Sequence, residues 1–248
     1  MFDPYEEIFE KRGYLYHKAM TLYPQARREE FYNIIKMAQV RPGNIVCDIP
    51  SGGGYFKNFI STRVEIISIE TSRTFAKLCK ANTGMDVLLT NLDNLPIKNS
   101  TVDRVISLAG LHHIEDKQSF YLESYRIIKS GGILCIADAW QGSMVSMFLD
   151  VFVNENNSMG HRGTYLDENT KYELEKCGFN VSHSSSTKYY WRFKSLYDMV
   201  NYFQLLFGID KASYEEILYG ITQYLGYSQI KKEYCLNWEL TFYRAVKP

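Results

Sequence analysis

Three consecutive glycines stand directly behind an acidic residue in residues 46–56, VCDIPSGGGYF. Glycines between a first strand and a first helix let backbone N–H groups approach a ligand closely. Asp48, the acid before them, repels a pyrophosphate but attracts the cationic end of a zwitterionic amino acid. The dinucleotide pattern GxGxxG also lacks its last glycine, because Lys57 stands there. The loop therefore predicts a site for a nucleotide-like ligand with a cationic end, rather than only a tight turn.

Histidines are candidates for acid–base chemistry. His113 follows the fourth predicted strand, at the sheet edge where ligands bind in such folds, and an imidazole pKa of about 6.5 suits a general base. A structural role, holding its loop through a backbone hydrogen bond, also fits His113. His161 lies in a predicted loop, where it either contacts substrate or is solvated. We expect His112 to point outward or to pack, and Asp138 either to face a substrate or to cap the next helix.

Predicted helices and strands alternate from residue 44 to residue 140. Residues 4–39 carry apolar positions at helical spacing, and RPG ends the second of two helices. The segments that follow are strand NIVCDI, helix GYFKNFIST, strand VEIISIE, helix SRTFAKLCKAN, strands MDVLLT and VDRVISLA, helix SFYLESYRIIKS and strand GGILCIADAW. This alternation is typical of a parallel, doubly wound α/β sheet with helices on both faces.

The pattern is looser beyond Trp140. It predicts a helix-rich segment to about residue 156, the loop NENNSMGHRGTY, helix LDENTKYELEKCGF, strand FNVSHSSST, helices SLYDMVNYFQLLFGID and SYEEILYGITQYLG, and strand NWELTFYRAV. We expect that last strand to pair antiparallel at the sheet edge, because it follows helices and a turn. The aromatic stretch KYYWRFKSLYDMVNYFQLLF either packs in the core or lines an apolar pocket.

The prediction is therefore a doubly wound sheet of about seven strands with N-terminal helices and a helical lid. Its parts are a helical cap over residues 1–40, a ligand-binding core over 41–140, and lid helices with the last strands over 141–248.

Composition and charge argue against several partners. The chain has 28 basic and 28 acidic side chains and no long basic run, so we expect no nucleic-acid partner. No apolar stretch reaches the roughly 18 residues of a membrane span, and the polar N-terminus does not resemble a signal peptide, so we expect no membrane partner.

Cysteine and ligand spacing carry two further expectations. The five cysteines form no CxxC pair, and Cys47 and Cys135 lie in apolar runs, which favours buried thiols in a reducing cytoplasm. No group of metal ligands has adequate spacing, so no metal is predicted, although a magnesium site made of carboxylates stays open.

The stretch DIPSGGG resembles the DxGxGxG motif of class I S-adenosylmethionine (SAM)-dependent methyltransferases. Asp48 takes the acidic position, and Gly52 and Gly54 take the second and third glycines. Pro50 replaces the first glycine, which restricts φ and removes one N–H. Three more stretches follow in the family's order: IISIE with Glu70 at its end, TNLDNLPIKNSTVDRVISLAGLHHI, and ESYRIIKSGGILCIAD.

This resemblance covers about residues 40–140 and implies a Rossmann-like fold. It implies SAM as cofactor and S-adenosylhomocysteine as product. By the resemblance Glu70 binds both ribose hydroxyls, Asn91 meets the adenine amino group and Leu92 offers its backbone N–H to the ring. Two more cofactor contacts are expected at Thr71 and Leu108.

The resemblance further implies methyl transfer to a small-molecule acceptor by in-line attack of an O, N, C or S nucleophile. SLAGLHH resembles quinone and biotin-pathway methyltransferases. The catalytic candidates are His113, His161 and Tyr16; Tyr16 contacts the SAM carboxylate or the acceptor, or only packs. A non-catalytic SAM- or nucleoside-binding subunit and a nicotinamide-dependent oxidoreductase are the alternatives. Either a monomer or a homodimer is compatible with the sequence.

Overall fold

A mixed sheet forms the centre of the computed structural model, which describes residues 5–248. Its eight strands are β1 (Ile45–Asp48), β2 (Glu65–Glu70), β3 (Val87–Leu89), β4 (Val102–Leu108), β5 (Ile128–Asp138), β6 (Asn180–Phe193), β7 (Tyr227–Ile230) and β8 (Glu233–Val246). The strand order is β3-β2-β1-β4-β5-β8-β6, and β7 pairs with β8. The first five strands are parallel, whereas β8 runs antiparallel to each of its neighbours. This confirms the predicted doubly wound sheet and its antiparallel last strand.

The prediction that the last strand lies at the sheet edge is wrong. β8 lies between β5 and β6, and its adjacent side chains Phe242 and Tyr243, which point to opposite faces, are both buried. The cause is that β6 pairs with the outer side of β8, from Asn180 opposite Val246 to Phe193 opposite Tyr234. β6 also continues beyond its predicted end at Thr187. It therefore forms this edge of the sheet, and β3 forms the other.

Helices cover both faces of the sheet. Within residues 5–248 the α-helices are α1 (Tyr5–Leu22), α2 (Arg28–Met37), α3 (Arg73–Thr83), α4 (Lys117–Ile127), α5 (Met144–Met147), α6 (Asn154–Asn156), α7 (Thr170–Lys176), α8 (Leu196–Phe207) and α9 (Tyr214–Tyr224). A π-helical turn, Phe148–Val153, joins α5 to α6. The first four residues of the predicted cap over residues 1–40 lie outside the described part of the chain.

The α-helix predicted over residues 54–62 is instead a 3₁₀-helix of five residues, Tyr55–Phe59. Ile60 already has an extended backbone, with φ −84° and ψ 114°. The segment behind it is rich in β-branched side chains, which favour extended conformations, including Thr62 and Val64. The helix therefore ends after little more than one turn.

α1 is fixed to two other helices. The Glu10 carboxylate accepts the backbone N–H and the hydroxyl hydrogen of Thr74 in the first turn of α3. Gly13 permits this approach, because a Cβ there would lie 2.8 Å from Thr74 Cγ2. On the other side, Arg12 Nη2 donates to the Leu206 carbonyl of α8 at 3.1 Å. These contacts hold the side chains of α1 over the carboxyl edge of the sheet.

All five cysteines are free and buried, which confirms the expectation for Cys47 and Cys135.

None of the helices within residues 5–248 has the length and apolar character needed to cross a lipid bilayer.

A buried ion pair connects α2 with β6. Arg27 Nε donates to Glu30 Oε1 at 3.0 Å, and Glu30 Oε2 accepts from the Tyr189 hydroxyl at 3.1 Å and from Trp191 Nε1 at 2.8 Å. The Trp191 ring stacks on Trp238 with ring centroids 4.0 Å apart. The aromatic stretch thus contributes to the core from a strand as well as from α8, where its buried members are Tyr202 and Phe203.

The Glu30 carboxylate should be important for stability. We expect Glu30→Gln to lower the free energy of unfolding by about 3–5 kcal/mol, because the buried charge of Arg27 then lacks its partner. Urea unfolding followed by circular dichroism measures this loss. As a control, Asp86→Asn breaks the exposed Lys80–Asp86 pair and should leave the unfolding midpoint unchanged. An unchanged midpoint for Glu30→Gln would contradict the importance of the buried pair.

Candidate functional site

The loop after β1 lines a cavity at the carboxyl edge of the sheet, here called the loop cavity. Asp48, Pro50 and Gly52 contribute from the loop and Leu108 from the end of β4, and aromatic rings close the other side: Tyr5, Phe9, Tyr16 and Tyr55. Gly52 has a φ of +53°, in the left-handed region that favours glycine. The loop backbone therefore turns toward the cavity with no side chain in the way.

Gly54 does not line this cavity, although it was predicted to contact the cofactor. Its φ is +74°, and a Cβ at this position would lie 2.8 Å from Cys79 Sγ. Glycine at position 54 therefore allows the loop to pack closely on α3, whereas Gly52 faces the space for a ligand.

Asp48 is a buried carboxyl group, and no donor within residues 5–248 is hydrogen-bonded to it. Burial, and then the charge of nearby Glu70, raise the pKa of Asp48 to about 8. A buried carboxylate without donors is unfavourable, and an adjacent cation relieves it. The side chain therefore suits the ammonium group of a ligand.

Glu70, at the end of β2, is fully buried but well supplied with donors. Its Oε1 accepts the backbone N–H groups of Thr71 at 2.8 Å and Ser72 at 3.0 Å, and its Oε2 accepts the Gly52 N–H at 2.7 Å and the Tyr5 hydroxyl at 3.1 Å. Burial raises its pKa to about 7, although the N–H donors oppose that rise. A hydroxyl of α1 thus bonds the carboxylate that was predicted to bind a diol.

Tyr5 also separates the loop cavity from a wider one, here called the outer cavity, of about 490 Å³. Thr71, Asn91 and Leu92 line the outer cavity. The Thr71 hydroxyl is buried and has no hydrogen-bond partner in the described chain, so it is available to a ligand. The predicted cofactor contacts therefore fall into two groups on either side of one tyrosine ring.

Three buried histidines line a third space, here called the histidine cavity. His112 and His113 lie on a 3₁₀ turn after β4, and His161 comes from the loop that follows α6. One ring nitrogen of each lies within 4.8 Å of those of the other two. Arg12, Arg27 and Asp138 also line the cavity, although much of the remaining wall is apolar and aromatic: Val145, Leu149, Trp191, Leu206, Phe207, Trp238 and Leu240.

Carboxylates orient two of the three rings. His112 Nδ1 lies 2.7 Å from Asp138 Oδ1, and His161 Nδ1 lies 3.0 Å from Asp150 Oδ1. A carboxylate accepts hydrogen bonds, so each Nδ1 carries the hydrogen of its bond, and in the neutral form of either ring Nε2 is the nitrogen with a lone pair. His113 Nδ1 is buried with no partner in the described chain.

The two histidines predicted to act in catalysis are uncharged at neutral pH. Burial lowers the pKa of His161 to about 4, although Asp150 opposes that change. Burial, and then the charges of His112, His161 and Arg12, hold the pKa of His113 well below its usual range. Neutral imidazoles of this kind can accept a proton or bond a ligand through the free nitrogen.

Tyr16, the third catalytic candidate, lines both the loop cavity and the histidine cavity. Its hydroxyl accepts a hydrogen bond from Arg27 Nη1, and Arg27 lines the same two cavities. Phe9 and Ala109 complete the boundary between these spaces. A ligand in the loop cavity and one in the histidine cavity would therefore meet beside Tyr16.

Sequence reasoning missed some of the contacts in the site. Of the two alternatives for His112, pointing outward or packing, the structure has the buried one, and it adds that His112 lines the cavity and bonds Asp138 through both its ring and its backbone N–H. Asp138 is thus used to orient His112. Asp150, which lies in the π-helical turn and bonds His161, was missed because no local pattern in the sequence connects the two residues.

The profile of the family described as a methyltransferase domain matches residues 47–136, from Cys47 in β1 to Ile136 near the end of β5. Over these residues, which make up little more than a third of the chain, the sequence is thus similar to a methyltransferase domain. The loop cavity and the outer cavity lie at the strand ends of this matched segment.

Similar proteins extend the comparison. The chain is 26% identical over 115 residues to the ubiquinone/menaquinone biosynthesis C-methyltransferase UbiE of Hydrogenovibrio crunogenus, which covers 42% of this chain and 45% of that protein. It is 29% identical over 97 residues to the tRNA (carboxymethyluridine(34)-5-O)-methyltransferase of Arabidopsis thaliana, covering 38% and 24%. The chain thus spans less than half the length of either relative.

A solved structure shows the same fold outside the matched segment. Haemonchus contortus phosphoethanolamine N-methyltransferase 2, in complex with phosphomonomethylethanolamine and S-adenosylhomocysteine, aligns with a TM-score of 0.65 at 15% identity. The alignment covers 99% of this chain and 60% of that one. The Rossmann-like methyltransferase fold therefore includes the helices on either side of residues 47–136.

The pKa of Asp48 predicts how stability depends on pH. The folded-state value of about 8 exceeds the ordinary value of 3.8, so the folded chain keeps a proton that the unfolded chain releases. This stabilisation is present at low pH and is lost as pH rises toward 8. Thermal unfolding should therefore show Asp48→Asn to be more stable than the wild type at pH 8, with the difference shrinking toward pH 5.

Asp103→Asn is the matched control, because its effect has the opposite sign. Against the effect of burial, the Ile45 N–H and Lys129 lower the pKa of Asp103, so its stabilisation is present at neutral pH. That variant should lose stability at neutral pH. A pH-independent difference between Asp48→Asn and the wild type would contradict the raised pKa.

Proposed function

We propose that this protein transfers a methyl group from SAM to a small-molecule acceptor held in the histidine cavity. The observation that carries the proposal is the contact between two spaces: the loop cavity, which holds a lone buried carboxylate, meets the histidine cavity along Tyr16 and Arg27. One space suits a cationic cofactor and the other suits an acceptor.

The residues of the loop and outer cavities fit SAM. The SAM ammonium group would pair with Asp48, which has no other partner in the described chain. Glu70 and Thr71 would bind the ribose hydroxyls, and Asn91 and Leu92 the adenine ring. SAM supplies a methyl group made electrophilic by the positive sulfur. The relative solved with S-adenosylhomocysteine supports this assignment.

α1 has to move before the ribose can bind as proposed. The Tyr5 hydroxyl takes a place on Glu70 Oε2 that a ribose hydroxyl would need. α1 also covers the histidine cavity through Phe9, Arg12 and Tyr16. One movement of this helix would therefore open both spaces, and its return would exclude water from them.

Enclosure favours a small acceptor. Trp191, Phe207 and Trp238 form aromatic walls, which suit a planar or apolar molecule. A tRNA relative raises the possibility of a nucleic-acid acceptor, but the formal net charge of zero offers little attraction to a phosphate backbone. We also propose a cytoplasmic location, in keeping with five free, buried cysteines.

His161 is placed to activate an acceptor that carries a proton. Its Nδ1–H is held by Asp150, which leaves Nε2 as the ring nitrogen that can accept a proton, and the residue lines the cavity. Asp150 also accepts the Tyr165 hydroxyl at 2.7 Å and the Gly163 N–H at 3.0 Å, which fix the carboxylate. The proton would thus move from the acceptor to His161 Nε2 as the acceptor becomes nucleophilic.

Cofactor binding tests the first half of the proposal. Calorimetry should detect SAM and S-adenosylhomocysteine but not NAD. Glu70→Ala should weaken the binding of SAM and of S-adenosylhomocysteine by about 10-fold or more, because charge-assisted hydrogen bonds contribute roughly 1.5–3 kcal/mol each. Tyr5→Phe should strengthen SAM binding, since it removes the hydroxyl that competes for Glu70. Binding of NAD alone would reject methyl transfer in favour of a nicotinamide enzyme.

Turnover tests the second half. With an acceptor found by screening for S-adenosylhomocysteine formation, His161→Asn should lower kcat by roughly 10²–10⁴-fold with little change in SAM affinity. Asp150→Asn should cause a smaller loss. SAM binding without turnover across a broad set of phenols, amines and thiols would instead support a non-catalytic binding subunit.

A further inference from the structure

The histidine cavity gathers three imidazoles, and one ring nitrogen of each lies within 4.8 Å of one ring nitrogen of each of the other two. The ring centroids of His112 and His113 are 4.1 Å apart, and His161 lies 5.7 Å from the first and 5.3 Å from the second. All three side chains are buried. Sequence spacing predicted no metal because His161 lies far along the chain from the other two, so only the fold brings them together.

We propose that His112, His113 and His161 form a binding site for one divalent transition-metal ion of the zinc type. Three imidazoles with a free fourth position are the ligand set of a catalytic zinc site. A tetrahedral site needs nitrogen–nitrogen separations of about 3.3 Å. The ligand nitrogens already lie within 4.8 Å of one another, so small side-chain rotations complete the geometry.

The groups behind the histidines support the assignment. Metal-binding histidines commonly donate their second ring nitrogen to a carboxylate, which fixes the ring and makes the other nitrogen a better ligand. His112 has this arrangement with Asp138, and His161 has it with Asp150. His113 Nδ1 is buried without a protein partner in residues 5–248, so a bound ion would account for an otherwise costly polar atom.

Charge and space are consistent with a dication and one further ligand. Asp138 and Asp150 together balance two positive charges, and Arg12, which also lines the cavity, adds one more. The fourth ligand should therefore be an anion. The cavity has a volume of about 60 Å³, and because one water occupies roughly 30 Å³, an ion and one or two water-sized groups fit.

The role of the ion rests on the proposed function, but its binding does not. In that role the ion would bind the acceptor oxygen or sulfur, lower its pKa and release its proton to water. The ion then occupies the His161 lone pair that would otherwise accept the proton. The two modes of activation are therefore exclusive.

Metal titration of the whole chain tests the site without SAM or acceptor. After removal of metals with a chelator, Zn²⁺ should bind with one ion per chain by calorimetry. Co²⁺ should give the intense visible absorption of a tetrahedral site. These two measurements on the wild type test the metal site even if the variants fold poorly. Only the weak spectrum of hydrated Co²⁺, with no calorimetric binding of Zn²⁺, would overturn the proposal.

Variants locate the ion. His161→Gln should abolish the visible absorption of bound Co²⁺. Asp150→Asn should weaken Zn²⁺ binding by about 10–100-fold, because it removes the carboxylate that holds the His161 ring. His183→Gln is the matched control: this histidine lies on β6, bonded to Ser185, and its loss should change nothing. Equal binding by His161→Gln and the wild type would place the ion elsewhere and reject the site.

Discussion

Two carboxyl groups buried side by side determine the arrangement of the site. Asp48 and Glu70 end neighbouring parallel strands, with Asp48 in register with Ser68 of β2. Two negative charges that are close together and buried are unfavourable, and the two carboxyl groups differ in the number of hydrogen-bond donors they receive. Glu70 receives four donors, which come from the glycine loop, from the start of α3 and from α1. Asp48 receives none from residues 5–248. The glycine loop and α1 thus both supply donors to one acid and none to the other.

The part of the site that could be predicted from the sequence lies at strand ends. Asp48, Glu70 and His113 each follow a buried apolar run, and parallel strands bring such positions to one edge. Local patterns are sufficient for this because the order of the strands follows from the alternation of strands and helices. The same patterns could not place β8 inside the sheet, since that depends on the pairing of β6 with the outer side of β8.

The histidine cluster could not be predicted for a different reason. His161 lies near His112 and His113 because the loop after α6 returns to the 3₁₀ turn, where the Thr164 N–H bonds the His112 carbonyl. Asp150, which contacts His161, lies in the π-helical turn. Neither arrangement follows from a periodic pattern of residues in the sequence. The burial of these histidines is likewise a property of the surrounding aromatic walls, which are formed by residues from β6, β8 and α8. Contacts between segments that are distant in the chain are the hardest feature to predict from a single sequence.

The position of β6 at the open edge of the sheet has a consequence for the behaviour of the protein at high concentration. A long edge strand exposes backbone N–H and C=O groups that another chain could pair with. The first half of β6 is a run of small polar side chains followed by Lys188, and its residues alternate between exposed and half-buried. An incoming strand would bury little apolar surface on such residues. The Lys188 ammonium group would also repel Lys188 of a second chain. The apolar, aromatic half of β6 is instead covered by α2 and α8. The edge is thus protected from aggregation by composition at one end and by helices at the other.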